Sequence, residues 1–337
     1  MREPLTMSRR RLLGLGISLP LLAGCTLSDP TIENPERTAP TLGPSPTGSL
    51  SASPSVSPTP TPEVVGARRV ATIELGLAGL ARAVLTGPRR RELSADQRGL
   101  LEFLVSAHRA HAAALEPSAS PPRPARVDQL SLRQSLDRLA RSQAGAATSH
   151  RSAALALRGR DAVRIGAVAV ATGLYAPATT AARAVPTAGR TTAPTEIPLL
   201  TDVEAVRSLV GQLHALIYGY QLAIGRLPVA SDRHGQALAE LLQHRIQRDR
   251  LISWLTRRSA DVPVAEPAYR PSVEPRDPGS AARLIRTMLV ALQPFGAVWL
   301  AAAGDADREG AYTTFSTIVD LARAWNAPLP IWPGLSS

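Results

Sequence analysis

The spacing of apolar residues constrains the fold of this chain most strongly. After a capping box formed by Thr201 and Glu204, apolar residues recur once per helical turn. Similar stretches separated by Pro and Gly predict eight helices, whereas strand alternation with hairpin turns is absent. The sequence therefore predicts an all-α protein. The expected helices cover residues 63–86, 94–116, 128–157, 160–185, 202–226, 232–257, 279–303 and 305–326.

The apolar composition supports helices as well. Hydrophobic residues make up 44% of the chain but aromatic residues only 4%, so the core must be built from Ala, Leu and Val. Such a core favours closely packed helices over a β-sandwich. After residue 25 we expect no run long and apolar enough to span a membrane.

The eight predicted helices form two groups of four with a faint internal repeat. Ala107-His108-Arg109 resembles Gln243-His244-Arg245, and Leu139 and Gln143 are echoed by Leu289 and Gln293. A Pro- and Gly-containing link at 186–200 separates the groups. The sequence predicts two helical bundles in tandem, over residues 63–190 and 199–337.

The N-terminus has the three parts of a secretory signal over residues 1–24. Arg9 and Arg10 begin a basic run that resembles a twin-arginine export motif, and an apolar stretch follows. Leu22-Ala23-Gly24-Cys25 resembles the bacterial lipobox, in which the Cys is acylated and becomes the new N-terminus. Cys25 is the one Cys of the chain. A covalent lipid on Cys25 is the expected modification, no other cofactor is expected, and the choice between Sec and twin-arginine export stays open.

Residues 25–62 are rich in Pro, Ser and Thr and predict a disordered linker between the lipid and the bundles. We expect the protein on the outer face of the cell membrane, with the membrane as a partner. The formal charge is +11, and every basic residue counted is Arg. Nucleic acid is not an expected partner, because these Arg residues are scattered and few aromatic residues lie between them.

The second group of helices resembles an actinobacterial ferritin-like domain family of unknown function. The resemblance covers about residues 199–337 and implies an antiparallel four-helix bundle with one long crossover, for which the Pro-rich loop at 258–278 is suitable. Its motifs are His214-Ala215-Leu216-Ile217-Tyr218-Gly219-Tyr220, His244-Arg245, Arg248-Asp249, Glu266-Pro267-Ala268-Tyr269-Arg270-Pro271 and Leu321-Ala322-Arg323-Ala324-Trp325.

The second bundle departs from the ligand pattern of di-iron bundles. No Glu is followed three residues later by His, the spacing with which such bundles bind their metals. Leu213 stands where the resembled family tends to have Glu, and Gln293 stands where a Glu is expected on the third helix. Because Leu cannot ligate a metal and an amide is a poor bridging ligand, we expect no complete di-iron site there.

The first bundle retains residues that can bind metal. Glu74, His108 and His150 are the candidate ligands, with Glu102 and His111 also in this half of the chain. We expect His111 to face solvent. We favour a hydrogen-bonded polar core without metal at these residues, because an inward His or Glu is usually a hydrogen-bonded core residue, and keep metal binding as the alternative.

A polar network is expected in the core of the second bundle. His244 and Arg248 continue the apolar stripe of their helix, and a buried Arg requires a partner. We expect Asp320, rather than the adjacent Asp249, to be that partner. The alternative is that His244 and Arg248 form a ligand site.

The sequence favours a non-enzymatic role. It contains no nucleophile elbow, P-loop, dinucleotide-binding fingerprint or H-E-x-x-H motif, so no catalytic residue is assigned. The leading hypothesis is a membrane-tethered scaffold or binding module with a protein or small-molecule partner. One alternative is a metal-binding protein or oxidoreductase that uses Glu74, His108 and His150. Another is small-ligand binding between the bundles.

Overall fold

A computed structural model describes residues 62–122, 127–181, 184–189, 191–192 and 198–335. Cys25, Arg9 and Arg10, and hence the export and lipidation predictions, lie outside the described residues. Within them the chain is all-α, as predicted. The helices are α1 (Pro62–Thr86), α2 (Ala95–Leu115), α3 (Leu132–Leu155), α4 (Gly159–Thr179), α5 (Asp202–Ile224), α6 (Asp232–Thr256), α7 (Pro278–Ala302) and α8 (Arg308–Ala324).

Side-chain caps fix where several helices begin. The predicted capping box of Thr201 and Glu204 is confirmed at the start of α5. Ser131 caps α3 in the same way, so this helix begins at Leu132 rather than at the predicted residue 128. Each cap satisfies backbone N–H groups that the first helical turn leaves without partners.

The helices enclose two hydrophobic cores. The first core is formed by α1–α4 together with Leu329, Ile331 and Trp332 from the end of the chain. The second is formed by α5–α8. Helix α4 faces both cores: Ile165 and Val168 belong to the first, and Val163, Ala167 and Val170 to the second. The described residues of both cores accordingly belong to one compact unit.

The link between the two groups of helices pairs with the end of the chain. Thr187–Ala188 (β1) and Leu329–Pro330 (β2) form a two-residue parallel pair, and the Leu329 amide donates to Pro186 O at 2.8 Å. We call residues 327–335 the C-terminal strap. It leaves α8 in the second group and inserts Leu329, Ile331 and Trp332 into the core of the first.

Two helices are more apolar than expected. By length and composition, α4 and α7 could cross a membrane, which corrects the expectation that no such run follows residue 25. However, 72% of the apolar window of α4 and 56% of that of α7 are buried inside the structure. Core helices of globular proteins have the same composition, because a helix that is hydrophobic on all sides can be buried by protein as well as by lipid.

Candidate metal centre

A carboxylate lies at the centre of the first bundle. Glu74 projects from α1 between Val70 and Leu77, which are buried on the same helix face, and no part of its side chain is exposed. His108 and His111 lie one turn apart on α2, and His150 lies near the end of α3; each is fully buried. Four polar side chains from three helices thus meet in the core.

The two oxygens of Glu74 have different neighbours. Oε2 lies 2.8 Å from His108 Nδ1 and 2.6 Å from His111 Nδ1. Oε1 lies 2.9 Å from His150 Nε2 and accepts a hydrogen bond from the Thr172 hydroxyl on α4 at 3.1 Å. Two imidazoles therefore share one oxygen, while the other oxygen is held by hydrogen bonds.

The outer nitrogens of the two α2 histidines have partners of their own. His111 Nε2 lies 2.8 Å from the carbonyl oxygen of Ile331 in the strap. His108 Nε2 lies 3.2 Å from the amide of Gln143 on α3, which in turn contacts Thr179 at 2.8 Å. Both rings are thereby fixed in orientation.

The charge of the cluster follows from these contacts. Burial alone would raise the pKa of Glu74, yet His108 and His111 hold it well below its ordinary value, so the carboxyl is ionised. Burial and this carboxylate raise the pKa of Tyr175 well above its ordinary value. Tyr175 therefore remains a phenol, and it donates a hydrogen bond to Pro330 O at 2.8 Å.

The structure brings the three predicted metal candidates, Glu74, His108 and His150, together. It shows that the expectation for His111 was wrong, because this side chain is fully buried against Glu74. The i,i+3 spacing of His108 and His111 could have indicated that they share a helix face. Glu102 is exposed and takes no part. No local signal pointed to Thr172 or to the strap.

The expected polar network of the second bundle does not form. Arg248 pairs with the adjacent Asp249 at 2.8 Å instead of with the expected partner Asp320, which is exposed. The two neighbouring side chains meet at the surface, where both remain hydrated and the cost of burying charge is avoided.

His244 is buried as expected, but neither ring nitrogen has a hydrogen-bond partner among the described residues. Its ring lies against that of Tyr220, with 5.2 Å between the centroids. Burial lowers the pKa of His244 to about 4, so the ring is neutral at pH 7.

The second bundle has a buried carboxylate of its own, which sequence reasoning did not single out. Oε2 of Glu240 accepts hydrogen bonds from the Tyr220 hydroxyl at 2.7 Å and from the Trp325 indole at 2.6 Å. Gln236 donates to its other oxygen at 2.7 Å. The three donors are a phenol, an indole and an amide rather than imidazoles, which distinguishes this site from the Glu74 cluster.

The first half of the molecule is therefore an all-α bundle with a buried carboxylate–imidazole centre. In the second half, residues 205–337 match the model of a family described as a domain of unknown function, DUF4439. The matched residues include the strap but not Glu74, His108, His111 or His150.

A crystal structure of a conserved hypothetical protein, rv2844, from Mycobacterium tuberculosis is 28% identical in sequence, with a TM-score of 0.35. The match covers 37% of this chain and 94% of that chain. No curated protein matches this chain.

Proposed function

We propose that the protein binds one divalent first-row transition-metal ion in the core of its first bundle. The ligands are Glu74 Oε2, His108 Nδ1 and His111 Nδ1. Each residue offers one ligand atom, and these atoms lie within 4.8 Å of one another. Metal–ligand bonds of about 2.0–2.2 Å suit a group of this size after small adjustments.

The contacts of His111 carry this proposal. Its Nδ1 faces the Glu74 carboxylate and its Nε2 faces the Ile331 carbonyl, so both neighbours are hydrogen-bond acceptors. A neutral imidazole has only one N–H and can satisfy only one of them. With a metal on Nδ1, the single N–H on Nε2 donates to the carbonyl, the arrangement that orients most metal-bound histidines.

The other imidazole, His108, needs one rearrangement to adopt this protonation pattern, because the Gln143 NH2 group faces its Nε2 in the structure. When Nδ1 of His108 binds metal, its Nε2–H can donate to the Gln143 amide oxygen after rotation of that amide. His150 and Thr172 donate to Glu74 Oε1, which leaves Oε2 free to bind the metal. His150 is thus a positioning residue for the carboxylate ligand.

The donor set defines the class of metal. Two imidazoles and one carboxylate suit Zn²⁺, Fe²⁺, Mn²⁺ or Co²⁺, whereas Ca²⁺ and Mg²⁺ prefer oxygen ligands. A dinuclear centre would need further bridging carboxylates. The described cluster contains one carboxylate, Glu74, so we propose a single ion.

We favour metal retention over the scaffold role suggested by the sequence, because the buried carboxylate and imidazoles are placed as ligands of a metal ion. We do not propose an enzyme. Glu74, His108, His111 and His150 are fully buried, so a substrate cannot reach the ion in this conformation.

The competing account is a metal-free ion pair. In that account His111 carries a proton on both nitrogens and bridges Glu74 and the Ile331 carbonyl as an imidazolium. The two accounts predict different metal contents for the purified full chain, measured by elemental analysis after exposure to each of the four ions and desalting.

We expect about one ion per chain, as three protein ligands require. Glu74→Ala and His111→Ala should abolish retention. His150→Gln should weaken metal affinity by about 10- to 100-fold, as expected for a residue that orients a ligand. A metal-free wild-type chain would support the ion pair and overturn the proposal.

The second bundle supplies matched control variants. Glu240→Gln alters another buried carboxylate, and His244→Phe removes another buried imidazole. Both should leave the metal content unchanged. Loss of metal in these variants would show that general destabilisation, rather than loss of a ligand, explains the Glu74 and His111 results.

We also propose that the protein is a lipoprotein anchored on the outer face of the cell membrane through Cys25. This rests on the lipobox-like Leu22-Ala23-Gly24-Cys25 and the basic, apolar segment before it. Mass spectrometry of the mature protein should find an N-terminal Cys25 carrying lipid, and Cys25→Ser should prevent acylation. A mature chain that begins at another residue and lacks lipid would contradict the anchor.

A further inference from the structure

We infer that the C-terminal strap is the gate through which metal enters and leaves the buried centre. The inference rests on the proposed metal-binding function. It assigns to the end of the second half of the chain a role at a site whose ligands all lie in the first half.

The strap is the non-helical part of the described wall around the cluster. Ile331 O lies 2.8 Å from His111 Nε2, and the Trp332 ring lies 4.9 Å from the His111 ring between centroids. Tyr175 beside them donates to Pro330 O. The other described contacts of the cluster come from α1, α2, α3 and α4.

Opening the strap disturbs less structure than separating the helices. Its ladder with β1 has only two residue pairs, and it contributes three side chains, Leu329, Ile331 and Trp332, to a core that is otherwise built mainly by the helices. The buried indole N–H of Trp332 has no hydrogen-bond partner among the described residues. Exposing that N–H to water gains a hydrogen bond, which lowers the cost of opening.

There is also space beside the strap. A cavity of about 300 Å³ is lined by Pro330, Trp332 and Leu335 of the strap, and by residues outside it that include Gly189 and Val290. Movement of Trp332 toward this cavity would uncover His111 without breaking a helix.

The second bundle holds the strap in place. Gly334 has a φ of +69°, and a Cβ there would lie 2.7 Å from the Phe315 ring and 2.9 Å from Gln293 O. Its amide donates to the Gln293 side chain at 3.3 Å. An added side chain at Gly334 must therefore shift the strap, although the residue does not touch the cluster.

The test measures how fast cobalt leaves the loaded full chain after excess EDTA is added. The loss of the visible absorbance of bound Co²⁺ gives this rate. Gly334→Ala and Trp332→Ala should each release cobalt about tenfold faster or more, as expected when the support of a ligand is lost. Gly310→Ala on α8 is the matched control, because a Cβ there meets no atom within 4 Å. Its release rate should equal that of the wild type.

Hydrogen exchange in the wild type provides a test that needs no folded variant. The Leu329 amide is bonded to Pro186 O, so its exchange reports opening of the strap. The inference requires this opening to be at least as fast as cobalt release. Slower opening than release would overturn the inference.

The remaining outcomes separate the two proposals. Cobalt binding with an unchanged release rate in both strap variants would overturn the gate and leave the metal site standing. A wild-type chain that binds no cobalt and none of the other three ions would overturn the proposed function, and the gate with it.

Discussion

At the scale of single residues, the hydrogen-bond partners of a buried histidine determine the role that it can have. His111 lies between Glu74 and a carbonyl oxygen, whereas His244 has no hydrogen-bond partner among the described residues. An imidazole without a carboxylate partner remains neutral in the core, because burial penalises its charged form.

His244 should make the stability of the protein depend on pH. Its pKa is about 4 in the folded chain and about 6.5 in the unfolded chain, so the unfolded state takes up a proton first as the pH falls. Stability is therefore lost between pH 6.5 and 4. Urea unfolding of metal-free protein should show that the wild type loses about 2 kcal/mol more than His244→Phe between pH 7.5 and 5. Equal losses would contradict this account.

At the scale of helices, local signals allowed much to be predicted. The capping box of Thr201 and Glu204 places the start of α5 at the predicted residue, whereas the unpredicted cap at Ser131 starts α3 four residues later than expected. Glu74, His108 and His150 were also anticipated as residues that could converge, because Glu74 and His108 lie beside the apolar stripes of their helices. The orientation of His111 and the pairing of Arg248 with Asp249 were not, since they depend on tertiary neighbours.

The buried carboxylate of Glu240 on α6 should stabilise the second bundle, because it accepts hydrogen bonds from two other parts of the chain. Glu240→Leu leaves the Tyr220 hydroxyl on α5 and the Trp325 indole after α8 without their acceptor. We expect a loss of about 2–4 kcal/mol in the free energy of unfolding, because each unpaired buried donor carries a desolvation penalty. The same substitution at exposed Glu102 on α2 should change stability by only about 0.5 kcal/mol or less. Similar losses at the two positions would contradict the network.

At the scale of the whole molecule, the two halves are joined by helices, an arginine and the strap. Helix α4 contributes to both cores, and buried Arg308 of α8 donates to Leu155 O at the end of α3 at 3.0 Å. The strap adds a pairing between residues 187–188 and 329–330. The sequence could not predict this contact, because its two segments are short, lack strand periodicity and lie far apart in the chain.

Two glycines of α4 should differ in how they tolerate a methyl group. A Cβ at Gly166 would lie 2.6 Å from Leu300 Cδ2 of α7, a fully buried side chain, whereas one at Gly173 would make an ordinary 3.7 Å contact with Ala147. Both substitutions remove the backbone freedom of Gly in a helix. Replacing Gly by Ala in a helix thereby stabilises the folded chain, but at Gly166 the clash with Leu300 opposes this stabilisation. Gly166→Ala should therefore be about 1–2 kcal/mol less stable than Gly173→Ala in urea unfolding. Equal stabilities would show that α4 and α7 are not tightly packed there.

The central claim is that the buried cluster is a metal centre rather than an ion pair. Anomalous X-ray diffraction from crystals of the zinc-loaded chain, measured at the zinc edge, tests it most directly. We predict a single peak about 2.0–2.2 Å from Glu74 Oε2, His108 Nδ1 and His111 Nδ1. A map without a peak there, with Glu74 still hydrogen-bonded to the imidazoles, would contradict the claim.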